Sequence, residues 1–399
     1  MRAVVIGAGL AGLAAADELL RAGAEVSVFE ARDRVGGRVW SQTLDNGAVI
    51  EMGAEFILPG NTLVRELVER FGLGLWDKGM RYGRREPRGA GELEPSALEQ
   101  AVEAVDRALE QTDGGGGESA LELLNRLDLD SAAREALVAR VEVSAASPAE
   151  RVPARDLAGI AHVDDEPCPS IAGGNQRLAE ALAEPLGDSL RLSMPASSVA
   201  RSENGVRVRT DESEVEADAC VVAVPASAMD AVDFDPPLPQ AQAEALAAIA
   251  YGHAAKLFVP LRAVAETSAV LSVPERYWCW TAAGKGGVAQ PVVSAFAGSP
   301  AALERLGVAN GPGRWLASMA RLRPDLELDP DGALLSTWSD DPWARAAYSV
   351  ERPPQATAIL SEPLGPLAFA GEHTVDAFES LMEGALRSGQ RAARLLASR

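Results

Sequence analysis

The stretch VVIGAGLAG at residues 4–12 decides the fold of this chain. It joins an apolar run to a Gly-x-Gly-x-x-Gly turn. An Ala/Leu-rich segment follows, and a second apolar run at residues 26–29 ends at the acidic residue Glu30. A short apolar strand, a glycine turn, a helix and a second strand are typical of the Rossmann βαβ unit. The stretch therefore predicts a dinucleotide-binding βαβ unit at the N-terminus.

Each small residue of this turn has a separate physical role. Gly7 permits the tight turn out of the strand, Gly9 lets a pyrophosphate approach the bare backbone, and Gly12 lets the helix pack against the sheet. The first turn of the helix, around Ala11, offers free N–H groups and the positive end of the helix dipole to the phosphates. Glu30 then lies where a ribose hydroxyl needs an acceptor.

A second glycine turn follows directly. Residues 31–38 read ARDRVGGR, so Gly36 and Gly37 expose bare backbone beside the cation Arg38. Nicotinamide-binding folds do not need this second turn, whereas a longer dinucleotide that stretches across the domain can use it. We therefore predict FAD as the cofactor, and the acid Glu30 argues against a 2′-phosphate at the ribose.

The first sixteen residues admit another interpretation, because Met1-Arg2, an apolar run and three alanines also resemble a secretory signal peptide. Cleavage there would destroy the glycine turn and leave Glu30 without its partner strand. The βαβ interpretation uses every residue of the stretch and the signal interpretation wastes most of them. We expect the βαβ unit, in a cytoplasmic protein.

Composition excludes several classes of function. At 399 residues and 47% apolar content, the chain is long enough for two domains with ordinary cores. A net charge of −21 disfavours nucleic acid and anionic membrane surfaces and is compatible with cationic substrates. No apolar run approaches the length of a membrane span. Three scattered cysteines fit a reducing compartment and no metal site.

Lysine is rare in this chain: only Lys78, Lys256 and Lys285 occur among 37 basic residues. A lysine that persists where arginine is the usual cation merits attention, since a buried ammonium changes its pKa readily. Lys256 lies in an apolar strand at residues 254–259. On this pattern alone, we expect an ammonium that reaches solvent from the edge of a sheet.

The rest of the chain predicts a two-domain architecture. Ala/Leu/Glu-rich helices are expected between residues 94 and 140, with the four glycines at 114–117 as a flexible connection. The fold class is α/β (α+β overall). It combines a Rossmann-like FAD-binding domain with a discontinuous substrate domain of mixed sheet and helices. The FAD-binding domain comprises residues 1–75, 172–232 and 356–399. The substrate domain comprises residues 76–171 and 233–355, with a helical insertion at 94–160.

These motifs together resemble the flavin-containing amine oxidase family, which includes monoamine oxidases, polyamine oxidases and L-amino-acid oxidases. Nearly the whole chain takes part in the resemblance. The motifs, in chain order, are Gly7 to Gly12 with Glu30, Gly36-Gly37-Arg38, Gly53-Ala54-Glu55, Gly173-Gly174, Val199, Lys256, Trp338, Phe369-Ala370-Gly371-Glu372 and Met382-Glu383-Gly384-Ala385.

The resemblance implies a set of site residues. Non-covalent FAD would contact Gly7, Gly9, Ala11, Gly12, Glu30, Ala31, Arg32, Gly37, Arg38, Gly53, Ala54, Glu55, Phe56, Val199, Gly371, Glu372, Leu381 and Met382. Arg38 would bind the pyrophosphate and Val199 would hold the adenine through its backbone. Reaction would depend on Lys256, Trp338, Tyr348 and Leu381. Lys256 would hold a water against flavin N5 and Trp338 would flank the isoalloxazine ring.

Three departures from the family pattern bear on substrate and cofactor. Monoamine oxidases hold the amine between two tyrosines; Tyr348 matches one, but Leu381 replaces the other. Ala347 precedes Tyr348, where a cysteine would carry a covalent flavin. L-Amino-acid oxidases bind the substrate carboxylate with an arginine after the glycine turn, and here residues 55–57 contain none. The last departure counts against an amino acid substrate unless another arginine takes over.

The resulting hypothesis is an FAD-dependent amine oxidase. A neutral amine would lose hydride from its α-carbon to flavin N5, the imine would be hydrolysed, and O2 would reoxidise the flavin to give H2O2. One alternative is a dehydrogenase or desaturase of the same fold that acts on a natural-product intermediate. Another is a flavin-binding protein that serves partner binding. A homodimer remains open, and Asp340, Asp341 and Glu379 are candidates for attracting a cationic substrate tail.

Overall fold

A computed structural model of the chain describes residues 1–111, 117–161 and 165–398. The predicted glycine connection at 114–117 lies outside these residues except for Gly117. The helices are α1 Leu10–Arg21, α2 Thr62–Arg70, α3 Pro95–Gln111, α4 Ala120–Arg126, α5 Ser131–Ala145, α6 Leu157–Ile160, α7 Gln176–Ala183, α8 Gln240–Ala247, α9 Pro300–Arg305, α10 Gly313–Leu322, α11 Pro354–Ser361 and α12 Met382–Ala397.

The strands are short. They are β1 Arg2–Ile6, β2 Glu25–Phe29, β3 Ser41–Thr43, β4 Val49–Glu51, β5 Leu75–Trp76, β6 Glu86–Arg88, β7 Ser170–Ile171, β8 Leu190–Arg191, β9 Ala196–Ser202, β10 Gly205–Thr210, β11 Glu214–Ala217, β12 Ala219–Val222, β13 Asp233–Asp235, β14 Ala250–Tyr251, β15 Ala254–Pro260, β16 Ser268–Ser272, β17 Tyr277–Ala283, β18 Ala289–Gly298, β19 Leu334–Thr337, β20 Ser349–Glu351 and β21 Leu367–Phe369.

A parallel sheet of five strands, in the order β21-β12-β1-β2-β8, contains the predicted βαβ unit. Strand β1 is buried from Ala3 to Ile6, as expected for a parallel strand with both faces covered. Helix α1 packs against β1, β2 and the C-terminal helix α12. A Cβ atom on Gly12 would lie 1.8 Å from the carbonyl oxygen of Gly7, so only glycine allows the helix to start so close to the strand. The predicted βαβ unit is confirmed.

A sheet of six strands, in the order β19-β15-β18-β17-β16-β6, forms the second large sheet. Strand β15 pairs with β18 on one side and with β19 on the other, so Lys256 lies in the interior of the sheet. Its side chain is buried. The expectation that Lys256 reaches solvent from a sheet edge is therefore wrong, because the strand has neighbours on both sides.

Helices α3, α4, α5 and α6 share a hydrophobic core of their own, and α5 also packs against strands of the six-stranded sheet. The predicted domain boundary at residue 232 assigns α8 to the substrate domain. However, α8 packs against α11 in a core that also contains residues of the parallel sheet. The division into two domains stays a proposal, and we place α8 in the FAD-binding domain. No helix of the described part of the chain combines the length and the apolar character needed to cross a membrane.

Candidate active site

A cavity of about 360 Å³ runs between the glycine turns of the parallel sheet and the six-stranded sheet. It brings together nearly all of the predicted site residues, which come from distant parts of the sequence. Those that line it are Gly7, Gly9, Ala11, Glu30, Ala31, Arg32, Gly37, Arg38, Gly53, Ala54, Glu55, Phe56, Lys256, Trp338, Tyr348, Gly371, Glu372, Leu381 and Met382.

Two predicted cofactor contacts do not line the cavity. Gly12 packs against the turn at Gly7, so it shapes the glycine turn from behind. Val199 is fully buried in β9, where it pairs with Val208 on one side and Phe234 on the other. The prediction that Val199 holds the adenine is wrong, because the strand reaches the cavity three residues earlier, at Ala196.

At the dinucleotide end, Glu30 is ordered by the backbone. Its Oε2 accepts a hydrogen bond from the N–H of Ala8 at 2.7 Å, and its Oε1 accepts one from the N–H of Arg32 at 2.9 Å. Arg32 in turn donates from Nη2 to Oδ1 of Asp341 at 2.6 Å. Asp341 therefore belongs to the dinucleotide end of the site, and its expected role in attracting a cationic substrate is not supported.

The other two acidic candidates are engaged elsewhere. Asp340 accepts a hydrogen bond from Thr337, and Glu379 forms an ion pair with Arg352. Neither residue lines the cavity. Asp340 and Glu379 therefore place no carboxylate in the cavity that could attract a cationic substrate tail.

An ion pair between half-buried Arg38 and buried Glu372 lines the cavity. Arg38 donates from Nη1 to Oε1 of Glu372 at 2.9 Å and to the carbonyl oxygen of Ala347 at 2.8 Å. Glu372 also accepts from the hydroxyl of Ser349 at 2.6 Å. Burial opposes ionisation of Glu372, but Arg38 and these hydrogen bonds outweigh it and hold the pKa of the carboxyl below its ordinary value. This pair fixes the position of Arg38.

The residues present fit a long polar dinucleotide. A Cβ atom on Gly9 would meet nothing within 4 Å, which leaves room for a pyrophosphate at the start of α1. His373 lines the same cavity, is 1% exposed, and neither of its ring nitrogens has a hydrogen-bond partner within the described ranges. Burial lowers the pKa of His373 to about 4, so the ring is neutral at pH 7. Buried polar groups need partners, and a bound dinucleotide would supply them.

His373 was not predicted from the sequence. The motif Gly371-Glu372 directed attention to the glutamate, and the next residue carried no pattern of its own. The signal that could have identified it is its place in the same motif, two residues after Gly371.

At the opposite end of the cavity, Lys256 is held by the turn after β4. Its Nζ donates to the carbonyl oxygens of Glu51 and Gly53 at 2.7 and 2.9 Å and to Oε2 of Glu55 at 2.7 Å. These bonds use all three ammonium protons. A water held by Lys256 would have to replace one of these acceptors, so the predicted role of Lys256 stays a prediction.

Glu55 joins two of the three lysines of the chain. Its Oε1 accepts from Nζ of Lys78 at 2.7 Å and from the indole N–H of Trp280 at 3.1 Å, while its Oε2 binds Lys256. Burial alone would raise the pKa of Glu55, but the charges of Lys256 and Lys78 outweigh burial and lower it to about 2. Glu55 is therefore a permanent carboxylate at neutral pH, and it anchors Lys256.

Aromatic side chains form the walls of this end. Trp278 and Trp280 stack with ring centroids 4.1 Å apart, and Phe56 packs against both. Tyr348 lines the cavity and donates its hydroxyl to the carbonyl oxygen of Ser144 at 3.0 Å. Leu381, at the N-terminus of α12, lines the cavity as well. The two positions that correspond to the tyrosine pair are thus one aromatic and one aliphatic residue.

The structure also adds Arg85 to this end of the cavity. The residue precedes β6 and lines the cavity beside Tyr82 and Ser144. In the sequence it belongs to RREPRG, a polar loop with no motif, so nothing there distinguished it from the surface arginines. Within the described ranges, no three His, Cys, Asp or Glu side chains come together in a way that could hold a metal ion.

A Rossmann-type sheet whose glycine turns open on a cavity shared with a second sheet defines a dinucleotide-binding protein. The model of the flavin containing amine oxidoreductase family matches residues 10–397. The chain belongs to this family, and it is an FAD-dependent oxidoreductase of the amine oxidase type.

Known relatives agree with this assignment. The chain is 30% identical over 452 aligned residues to AofH of Mycobacterium tuberculosis, a protein assigned as a flavin-containing monoamine oxidase, covering 98% of this chain and 95% of that protein. It is 26% identical to polyamine oxidase 4 of Oryza sativa, covering 98% and 87% of the two chains. A structure of putrescine oxidase bound to putrescine superposes with a TM-score of 0.84 at 25% identity, covering all of both chains.

Proposed function

We propose that the protein oxidises a small amine that binds as the free base at the six-stranded-sheet end of the cavity. The observation that carries this proposal is the continuity of the cavity. One space connects the dinucleotide-binding turns at Gly9 and Gly37 with the aromatic walls around Trp280 and Tyr348. FAD, when bound along Glu30, Arg38 and Glu372, would take a hydride from the amine α-carbon and pass the electrons to O2, giving H2O2.

The residues of this chain would select the neutral amine. Apolar and aromatic walls disfavour a charged group through desolvation. The cations Lys78, Lys256 and Arg85 near the same end outnumber the carboxylate of Glu55. Burial raises the pKa of the neighbouring Glu51 to about 7, so that carboxyl is only partly ionised at neutral pH and an ammonium still meets net repulsion. Both effects lower the pKa of a bound amine, and the free base holds the lone pair that hydride loss requires.

Side chains around the reaction centre would orient the substrate. Trp338 is fixed by a hydrogen bond from its indole N–H to the carbonyl oxygen of Met52 at 3.1 Å, and Tyr348 is fixed by its bond to Ser144. Two rigid rings on the cavity wall limit how a small amine can rotate. Lys256, anchored by Glu55, is the residue that we propose to assist reoxidation by O2.

We also propose a cytoplasmic enzyme. The three cysteines are buried and none takes part in a disulfide, as expected in a reducing compartment.

The experiment is anaerobic mixing of the purified flavoprotein with primary amines, polyamines, N-methylated amines and amino acids. The readout is loss of the oxidised-flavin absorbance. Bleaching by one class, followed by H2O2 formation when air is admitted, would support amine oxidation and name the class. A protein that binds FAD and is bleached by no compound of this panel would contradict the proposal and favour a dehydrogenase or desaturase of the same fold.

A second candidate function is a dehydrogenase or desaturase of the same fold. Leu381 favours it, because an aliphatic side chain replaces one ring of the pair that holds an amine in monoamine oxidases. Two results would favour this candidate over an oxidase. One is bleaching by amines without H2O2 formation in air, and the other is bleaching only by natural-product amines into which a double bond can be introduced.

A further inference from the structure

Arg85 is a buried cation on the wall of the substrate end of the cavity. Its side chain is 3% exposed. The guanidinium carbon lies 4.1 Å from the ring centroid of Tyr82 and 4.1 Å from that of Trp278. The charged group thus packs against two rings that meet at nearly a right angle, and these contacts set its orientation before any ligand arrives.

The hydrogen bonds of Arg85 leave most of its donors open. Its Nε donates to the carbonyl oxygen of Tyr82 at 3.3 Å and its Nη1 donates to the hydroxyl of Ser144 at 3.1 Å. A guanidinium has five N–H groups. The remaining ones, including both on Nη2, have no acceptor within the described ranges.

Arg85 also has no carboxylate partner among the described residues, since none lies within 4.0 Å of its nitrogens. Glu55, a carboxylate that lines the same cavity, is already bound by Lys78 and Lys256. Buried charges are normally paired, because removing a lone charge from water is costly. The two rings stabilise the guanidinium but do not neutralise it.

The position of Arg85 relates its charge to the reaction centre. Ser144 accepts from Arg85 through its hydroxyl and from Tyr348 through its carbonyl oxygen. Tyr348 is the residue that we expect beside the reacting amine. Arg85 and Tyr348 are therefore linked through one residue, Ser144, and both line the cavity that a ligand would occupy.

We propose that Arg85 is the anion-binding residue of the substrate site, and that the natural substrate is an amine that also carries a carboxylate. This inference rests on the proposed function. The planar guanidinium presents parallel N–H donors that match the two oxygens of a carboxylate. Bound in this way, the substrate carboxylate supplies the counter-ion that the protein itself does not place beside Arg85.

The same charge disfavours diamines. A diamine would bring a second ammonium into a pocket whose open charged group is already a cation. Arg85 would therefore disfavour putrescine, the ligand in the structure of one relative. Amino acids therefore become candidate substrates again. Arg85 could bind their carboxylate, although it lies outside residues 55–57, the stretch that corresponds to the arginine of L-amino-acid oxidases.

The test uses the FAD-bound enzyme and matched pairs of substrates that differ only in the acid. Phenylalanine is compared with phenethylamine, and 4-aminobutyrate with butylamine, with putrescine as the dication. We expect the acid-bearing member of at least one pair to bleach the flavin with about 10- to 100-fold higher efficiency, the range of a charge-assisted hydrogen bond. Putrescine is expected to be the poorest substrate.

Two variants and one control connect the preference to Arg85. Arg85→Met should remove the acid preference, measured as the ratio of the efficiencies of the two members of a pair, and Arg85→Lys should retain part of that ratio because it keeps the charge but loses the planar fork. Arg84→Met is the control. The Arg84 side chain is adjacent to Arg85 in sequence, but it is half exposed and forms a surface ion pair with Asp165. The control should leave the acid preference unchanged.

A readout without turnover separates this inference from the proposed function. Benzoate should perturb the flavin absorbance of the wild-type enzyme, with at least about tenfold weaker binding to Arg85→Met. If no amine is oxidised, the proposed function fails and the benzoate titration still decides the role of Arg85. If amines are oxidised with no preference for the acid, or if Arg85→Met slows both members of a pair equally, the carboxylate site is refuted and Arg85 is structural.

Discussion

The substitution Glu55→Gln tests the central electrostatic feature of the site. Glu55 is buried on the wall of the cavity, and its carboxylate accepts hydrogen bonds from Lys78 and Lys256, each at 2.7 Å. The pKa of Glu55 falls from 4.5 to about 2. At 1.36 kcal/mol for each pKa unit, this corresponds to about 3 kcal/mol of stabilisation. Removing one partner of a buried ion pair typically costs about 3–5 kcal/mol, so we expect that loss at pH 7.

The pH dependence supplies an independent check. Because the folded-state pKa of Glu55 lies below the unfolded value, its contribution is complete above about pH 4.5 and is lost as pH falls toward 2. Glu55→Gln has no such carboxylate. The difference in the free energy of unfolding between the two proteins should therefore narrow by about 1 kcal/mol between pH 7 and pH 3.5.

The assay is equilibrium urea unfolding followed by tryptophan fluorescence, with FAD at one fixed saturating concentration, since bound cofactor adds to stability. Glu216→Gln is the matched control, because Glu216 pairs with Arg207 on the surface, where an ion pair contributes less than about 1 kcal/mol. A Glu55→Gln protein within 1 kcal/mol of wild type at pH 7, or a difference that does not change with pH, would refute the reasoning.

Three further predictions concern the glycine turn, reoxidation of the flavin and the pH dependence of stability. Gly9→Val should fold but lose FAD, seen as absent visible absorbance, whereas Gly12→Ala should destabilise the fold because its Cβ meets the preceding turn 1.8 Å away. Lys256→Met should slow reoxidation of the reduced flavin by O2 about tenfold or more in stopped-flow measurements; an unchanged rate removes its proposed role. As pH falls from 6.5 to 4, the apoprotein should lose up to about 3 kcal/mol of stability relative to His373→Gln, since buried His373 stays neutral while the unfolded chain takes up a proton; measuring the difference between the two proteins cancels the titration of other buried groups such as Glu51.

Much of the cofactor end could be predicted from the sequence because its determinants are local. A positive φ of 98° at Gly7 and the close approach of Gly12 to that turn are requirements that only glycine meets, and they leave a spacing that can be recognised. The error at Val199 shows the limit of such reasoning. The strand was recognised, but which of its residues reaches the cavity depends on how β9 lies against the parallel sheet.

Charged residues of the substrate end could not be assigned in this way. Lys256 was recognised as unusual, but its strand was expected at an edge, because the pairing of β15 with both β18 and β19 depends on segments far apart in the chain. Arg85 carried no pattern at all. Its burial follows from the packing of Tyr82 and Trp278 around it.

The sequence by itself determined the dinucleotide fold, the family and most residues of the cofactor site. Steric requirements of the backbone and the periodicity of strands and helices act over a few residues and remain legible in the chain. Only the tertiary structure decided that Lys256 and Lys78, 201 and 23 residues from Glu55, share one carboxylate, and that Arg85 faces the cavity without one. The partner of a buried charge depends on which distant segments pack together, and no local pattern records that choice.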